Sequence, residues 1–548
     1  MTPASRQASK DPRGAPASQA SKGPRGAAWR WSIAIFVATF SLYLLSSGRD
    51  RAWGDANGMW DVANHMVDGS IDTKVRWPDD IPPGSDGKYY GIAPIGTSIV
   101  HVPGAAVAKL GHWISPRHDA LVLPLAVHLA PALLGALACV VFFGLLRDLG
   151  IRVRTASLCT AILACSTTTW VYARMPYSEI LQLACFLGLF RSVLRVANDP
   201  TRREALWLGV WAGCLFNAKY VFASAILGGL VVIAWSLRRQ RPALVRVAKW
   251  AAVTGVPLAV VALAYNHARW GSVLKTGYEP YLEMYFGGSL FDGMWGMLLS
   301  PNKSVFLYSP VLVLAVLALP RAARSVPRLG FAMLATIAPV FLIYCTYRSW
   351  SGEWAWGPRF FVWAVPVLLI PLAWWVDAAV SRWRKGILGA VVALGIVVQL
   401  LGSALYWDHF IRISIDAKNQ WLGQPNRKGS YIPDRNRGFC DSCFEDTYQL
   451  LWTPTFQPIR GHWWLVRSIA SGETAMQAQA DAPWRHYTTL ELNLASSYDR
   501  ARIDWWGLLW MKDATHTWIA GLLIMILLVG GLASGIWMWI RIHRRATE

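Results

Sequence analysis

Eight side chains combine a reactive type with a place at the edge of an apolar run. Asp55 stands in Trp53-Gly-Asp55-Ala-Asn57-Gly-Met-Trp60-Asp61, within about two helical turns of the first apolar stretch. A carboxylate held there, just outside a span, is placed to act on a lipid-borne substrate. A plain alternative is a charge favoured in the first turn of a helix by its dipole. Lys88 and Tyr89 lie in Asp86-Gly-Lys88-Tyr89-Tyr90-Gly-Ile-Ala-Pro94, where the lysine could grip a phosphate or simply snorkel to the membrane surface. Glu179 opens an apolar run after Tyr172-Ala-Arg174-Met-Pro176-Tyr177-Ser. Lys219 interrupts another run at Asn217-Ala-Lys219-Tyr220, where a continuous apolar segment would insert more easily without it.

Three further motifs carry Arg269, Lys303 and Arg359. They are Asn266-His-Ala-Arg269-Trp-Gly-Ser272 with Thr276-Gly277-Tyr278, then Ser300-Pro-Asn-Lys303, then Glu353-Trp-Ala-Trp356-Gly-Pro358-Arg359-Phe360. Arginine can grip a phosphate bidentately, and tryptophan can wall a sugar. Tryptophan near a span end is equally an interfacial belt residue.

These residues need a membrane to make sense of their spacing. The chain is 54% hydrophobic and 16% charged, where soluble chains average nearer a quarter charged. The +21 net charge gathers in short loops such as Arg147/Arg152/Arg154, Arg238/Arg239/Arg241 and Arg382/Arg384/Lys385. That is the positive-inside pattern, and it argues against a nucleic-acid partner. With those loops inside, about twelve spans follow. They fall near 31–47, 119–146, 155–172, 179–196, 206–219, 221–237, 249–266, 304–319, 328–346, 360–376, 386–406 and 517–540. The fifth and sixth are short and read as a broken or re-entrant pair. Both termini are inside, and the candidate residues fall on the external edge.

The expected organisation is a disordered basic tail (1–28), a transmembrane catalytic module (29–406), an external region (407–516), and a last span with a cytoplasmic tail (517–548). The tail lacks apolar residues for a core, and no cleavable signal is evident. Hydropathy from Ile92 to Leu110 suggests helices lying in the interface. Six of the eight cysteines fall in spans. Cys440 and Cys443 fall in the third external region, where a structural disulfide or two idle thiols outweigh redox chemistry. Zinc there would need more ligands, and His462 is the nearest candidate in sequence.

Taken in order, four motifs resemble the GT-C superfamily of membrane glycosyltransferases, in particular the branch of protein O-mannosyltransferases and the lipid A aminoarabinose transferase. They are the Asp55 segment, Asp86-Gly-Lys88-Tyr89-Tyr90, the Asn266 to Tyr278 segment, and Trp356-Gly-Pro-Arg359-Phe. The resemblance covers roughly 30–406. It implies an all-α polytopic fold with interfacial helices in the first external loop and a small external C-terminal region. The family's external Asp maps to Asp55. Ala56 follows it, where O-mannosyltransferases carry an Asp-Glu pair. Glu179 matches a second acidic group by position only.

The resemblance implies an inverting transfer of a hexosyl or pentosyl group from a polyprenyl-phosphate carrier to a glycan, lipid or protein. Asp55 would act as general base, with Glu179 as a second catalytic carboxylate. Lys88, Tyr89, Lys219, Arg269, Lys303 and Arg359 would serve the substrate and its phosphate. A divalent metal on Asp55 and Glu179 is an alternative neutraliser of the leaving phosphate, and no other cofactor is implied. Membrane lipid is the remaining partner. The expected location is a bacterial inner membrane, with the site facing the periplasm or exterior. A multi-pass secondary transporter is the alternative, but no internal repeat of the expected kind appears, and the charges sit at the outer edge. A non-catalytic scaffold would not call for such clustered external charges.

Overall fold

The computed structural model describes residues 25–49, 54–76, 82–352, 355–379, 381–421, 450–485, 492–512 and 514–545. Among them the chain is helical, with two isolated β-bridges, Phe286 to Tyr347 and Leu405 to Ile503. The N-terminal tail before residue 25, Glu353, Cys440 and Cys443 lie outside the described residues.

The helix Glu179–Asn198 is mostly apolar and buried on nearly every face. It is packed against by Asp119–Asp148, Arg202–Ala218, Ala223–Leu237 and the turn Arg359–Ala364. Phe186, near its middle, meets Trp363 edge-on at 4.7 Å, and Phe222 meets the same indole at 5.2 Å. Outer helices are buried on one side only and expose leucine and valine, as a lipid-facing surface requires. Arg241–Trp270 lies close along Arg202–Ala218 because Gly209 leaves room for the Ala251 carbonyl. Ala514–Arg545 runs beside Arg25–Leu45, with Gly535 against Ala38.

Among the described residues, seven helices are long and apolar enough to cross a membrane, or eight if the bent pair Arg359–Leu369 and Leu372–Ala378 counts as one span. The expected count of about twelve is not reached on those criteria. The shortfall has local causes. The run 155–172 breaks at Thr167, which is extended (ψ 167°), into Val153–Ser166 and Thr169–Ala173. The run 304–319 divides before Pro310, which cannot donate a helical hydrogen bond. The pair around Lys219 does adjoin, as Arg202–Ala218 and a turn leading into Ala223–Leu237.

The two ends of the central helix differ in chemistry. At its C-terminal end, Asp148 accepts from Arg191 (2.6 Å) and Arg195 (2.7 Å), and Arg195 also reaches Glu204 at 2.9 Å. Arg152 pairs with Asp377 nearby, at 2.9 Å. Glu179 is at the other end, about 30 Å away at 1.5 Å per residue.

The first connecting loop carries Asp55–Val67, Ile95–Ile99 and Val102–Ile114. The last buries Gly104 and Ala105 beside Trp60 while exposing Leu110, Trp113 and Ile114. A second core lies beyond Leu405. Trp407–Trp421, Pro458–Ala470 and Ala475–Ala480 enclose Phe410, Leu465, Trp464 and Trp484. It docks on the bundle through His462, whose Nδ1 lies 2.9 Å from the Leu401 carbonyl and whose ring lies 4.5 Å from Trp356. Burial holds the imidazole down at about 4.

Candidate functional site

Gly54 adopts φ +63°, a left-handed turn that a side chain would resist, and the next residue opens a helix. Asp55 is therefore the first helical residue. Its carboxylate turns to Arg359, whose Nη2 donates to Oδ2 at 2.9 Å. Arg359 Nε donates to Glu179 Oε1 at 2.6 Å. One guanidinium thus joins two carboxylates 124 positions apart in sequence (179 − 55). Their settings are unequal, since the Glu179 side chain is 1% exposed and that of Asp55 is 42% exposed. Glu179 Oε2 is buried without a hydrogen-bond partner among the described residues. The Tyr177 ring lies under Arg359, 4.8 Å from its guanidinium carbon.

Asp55 and Arg359 open onto a cleft, together with Gly91 to Pro94, Thr97, Ala218, Lys219 and Tyr278. Lys219 reaches it because the preceding helix ends at Ala218 and its own backbone is extended (φ −167°, ψ 131°). Its ammonium rests over Phe360 at 4.8 Å and Tyr344 at 5.5 Å, two rings that stack on each other. Burial, and then the Asp55 charge, push the Tyr278 hydroxyl above its ordinary range, so it stays a donor.

The other sequence candidates lie elsewhere. Arg269 is fully buried and donates to the carbonyls of Gly91, Ala93 (3.5 Å) and Thr276 (3.4 Å), and to Asn266 Oδ1 at 2.7 Å. Tyr220 donates to the same amide oxygen at 2.9 Å. Arg269 therefore ties down the segment that forms one wall of the cleft through its two terminal nitrogens, and it is not itself among the residues that line the cleft. Lys303 is buried, with its ammonium on the Ala355 carbonyl at 2.7 Å, outside the cleft lining. Lys88 is exposed, and its backbone amide donates to Asp86 at 3.1 Å. The Tyr90 hydroxyl, and then that amide, hold the Asp86 carboxyl below its usual range. Tyr89 takes the Arg76 guanidinium over its ring at 3.8 Å. Neither Lys88 nor Tyr89 lines the cleft. Asp61 accepts from Thr73 (2.6 Å) and the Lys74 amide (2.8 Å) and so shapes the loop.

Sequence reasoning missed Tyr278 and Thr97, which line the cleft from motifs already singled out. It also missed the buried pair Arg174 to Asp504 at 3.2 Å. Asp504 also accepts from the Arg49 amide at 2.8 Å, so it anchors the loop that leads toward Asp55. For a metal the fit is poor. No group of three His, Cys, Asp or Glu side chains converges among the described residues, and Arg359 stands between the two carboxylates.

Fold and site together define an all-α polytopic membrane protein with a charged cleft at one end of its central helix. No family model matches the chain, and no curated protein matches it by sequence. Among solved structures it is similar to ArnT from Cupriavidus metallidurans bound to undecaprenyl phosphate, at 14% identity and TM-score 0.46, over 92% of this chain and 78% of that one. It is also similar to the Archaeoglobus fulgidus oligosaccharyltransferase in its apo form, at 12% identity and TM-score 0.49, over 79% of this chain and 63% of that one. AglB from the same organism, in complex with an inhibitory peptide and a dolichol-phosphate, aligns at 12% and 0.45, over 71% and 58%. The chain thus spans less than two thirds of either archaeal protein.

Proposed function

We propose that the chain is an inverting glycosyltransferase that moves a sugar from a polyprenyl-phosphate carrier to an acceptor hydroxyl at the external membrane face. The observation that carries this reading is the cleft itself. A half-exposed carboxylate, a guanidinium and a lysine ammonium meet at one end of a buried helix. That combination suits a reaction in which a hydroxyl loses a proton while a lipid phosphate departs.

In this reading Asp55 takes the proton from the acceptor O–H. The acceptor oxygen bonds to the anomeric carbon, and the bond from that carbon to the phosphate oxygen breaks with its electrons going to the phosphate. The products are the glycosylated acceptor, free polyprenyl phosphate and protonated Asp55. A positioned base contributes about 10²–10⁴-fold. Lys219 supplies positive charge to the departing phosphate without leaving another ion pair, since its ammonium rests on rings alone among the described residues. Tyr278 can donate to sugar or phosphate oxygens. The position of Glu179 at a helix end, away from the middle of the bundle, favours surface chemistry over transport.

The test is a release assay. Purified protein is offered a panel of polyprenyl-phosphate sugars with candidate acceptors, and free polyprenyl phosphate is measured. Acceptor-dependent release from at least one donor is expected. A full panel without release, and without any binding of polyprenyl phosphate, would refute the carrier class.

A further inference from the structure

We propose that Arg359 is a donor-operated switch on Asp55, with Glu179 as its fixed anchor. The inference rests on the glycosyl-transfer reading and adds an order of events to it. The geometry shows one guanidinium with two unequal partners. Its bond to Glu179 is at 2.6 Å and shielded from water, while its bond to Asp55 is at 2.9 Å and open to the cleft. A buried ion pair is costly to break, because separation leaves an uncompensated charge. An exposed pair is screened and exchanges its partner cheaply. The Asp55 side of the fork is therefore the one that yields.

Without donor, Arg359 occupies a lone pair of Asp55 and stabilises its negative charge. Both effects make Asp55 a poor proton acceptor. Among the described residues, two carboxylates then stand against Arg359 and Lys219. A phosphate seated beside Lys219 brings further negative charge into the same cleft. It competes with Asp55 for Nη2, and arginine binds phosphate in the same forked geometry that it offers a carboxylate. Once Arg359 turns to the phosphate, Asp55 loses that cation and has a new anion nearby. Both changes raise its proton affinity. The base becomes competent only when a leaving phosphate is in place, so donor binds productively before acceptor. Glu179 becomes a positioning residue for Arg359. Among the described residues, the charged and titratable groups around Asp55 include Arg359, Lys219, Tyr278 and Tyr177, from four separate elements, with Tyr347 further out.

The test reads Asp55 protonation directly. A hydrophobic carbodiimide reacts with protonated carboxyl groups, and its adduct on the Asp55 peptide is quantified by mass spectrometry, with Asp55→Asn as the blank. The pH midpoint of labelling is measured on the full chain with and without undecaprenyl phosphate, whose binding is followed separately by thermal shift. The midpoint should rise by about one pH unit or more on binding, the size typical of losing an adjacent cation. In Arg359→Gln the midpoint should already be high without ligand, and the ligand should move it less. Arg359→Lys replaces that variant if it fails to fold, since one ammonium cannot bridge both carboxylates in the same way. Binding with an unmoved midpoint overturns the switch and leaves the transferase reading intact. An equal rise in wild type and variant also overturns it, because the phosphate then acts by its charge alone. Absence of binding removes the carrier reading and the switch with it.

Discussion

At the scale of single residues, the chain spends its charges unequally. Arg269 and Lys303 donate to backbone carbonyls, while Lys219 rests on two rings at the cleft. Lys219→Met should therefore raise the donor KM by roughly 10- to 100-fold, the value of one charge-assisted hydrogen bond, and leave folding intact. A steady-state titration of donor checks this, and an unchanged KM would remove Lys219 from the site. Lys303→Met should instead lower thermal stability, because it strips the Ala355 carbonyl of its donor. Asp55, Glu179, Lys219 and Arg359 were legible in the sequence as chemical types at span edges. The pairing of Asp55 and Glu179 through Arg359, with Lys219 in the same cleft, was not, because it depends on four distant segments meeting. Nor was the loss of Arg269 to scaffolding. An arginine beside an interfacial tryptophan reads the same whether it faces a phosphate or a carbonyl.

Elements hold this site in place through buried polar contacts. Arg174, wholly buried, donates to Asp504 and to the Ser46 carbonyl, so it links the loop before the central helix to the loop before Asp55. Asp504→Ala should destabilise the protein by about 3–5 kcal/mol, as expected when a buried charge loses its partner. Melting in detergent measures this, and a loss below about 1 kcal/mol would mean the pair is dispensable. The docked C-terminal region carries a second constraint. His462 is held at about 4, against an unfolded value near 6.5. The unfolded chain binds the extra proton between those values, so stability is full above about pH 6.5 and falls as the pH drops toward 4. The loss approaches about 3 kcal/mol for this group. His101, buried and also held at about 4, adds to the decline over the same window. His462→Gln should therefore flatten the pH dependence of melting in part, and an unaltered slope would exclude His462 as a contributor. The sequence marked most helices by their apolar runs. It overstated continuity at Thr167 and before Pro310, because hydropathy averages over a break that backbone conformation decides.

For the whole molecule, the paired basic residues and the carboxylate cleft lie at opposite ends of Glu179–Asn198. If arginine-rich loops stay inside, the cleft opens outside. An impermeant maleimide on intact cells should label Met476→Cys, in the exposed part of the C-terminal region, and spare Arg239→Cys. The reverse pattern would invert the assignment and place the chemistry in the cytoplasm. All of this leads to one carboxylate acting on a lipid-borne sugar. The most direct measurement compares acceptor-dependent release of polyprenyl phosphate by wild type and Asp55→Asn, at matched donor occupancy and with melting recorded for both. Asparagine keeps the size of the side chain but cannot take a proton at neutral pH. The account predicts a fall of roughly 10²-fold or more, with donor binding and melting near wild type. Full release by Asp55→Asn would contradict it, leaving Asp55 as a charge that opens a helix and pairs with Arg359.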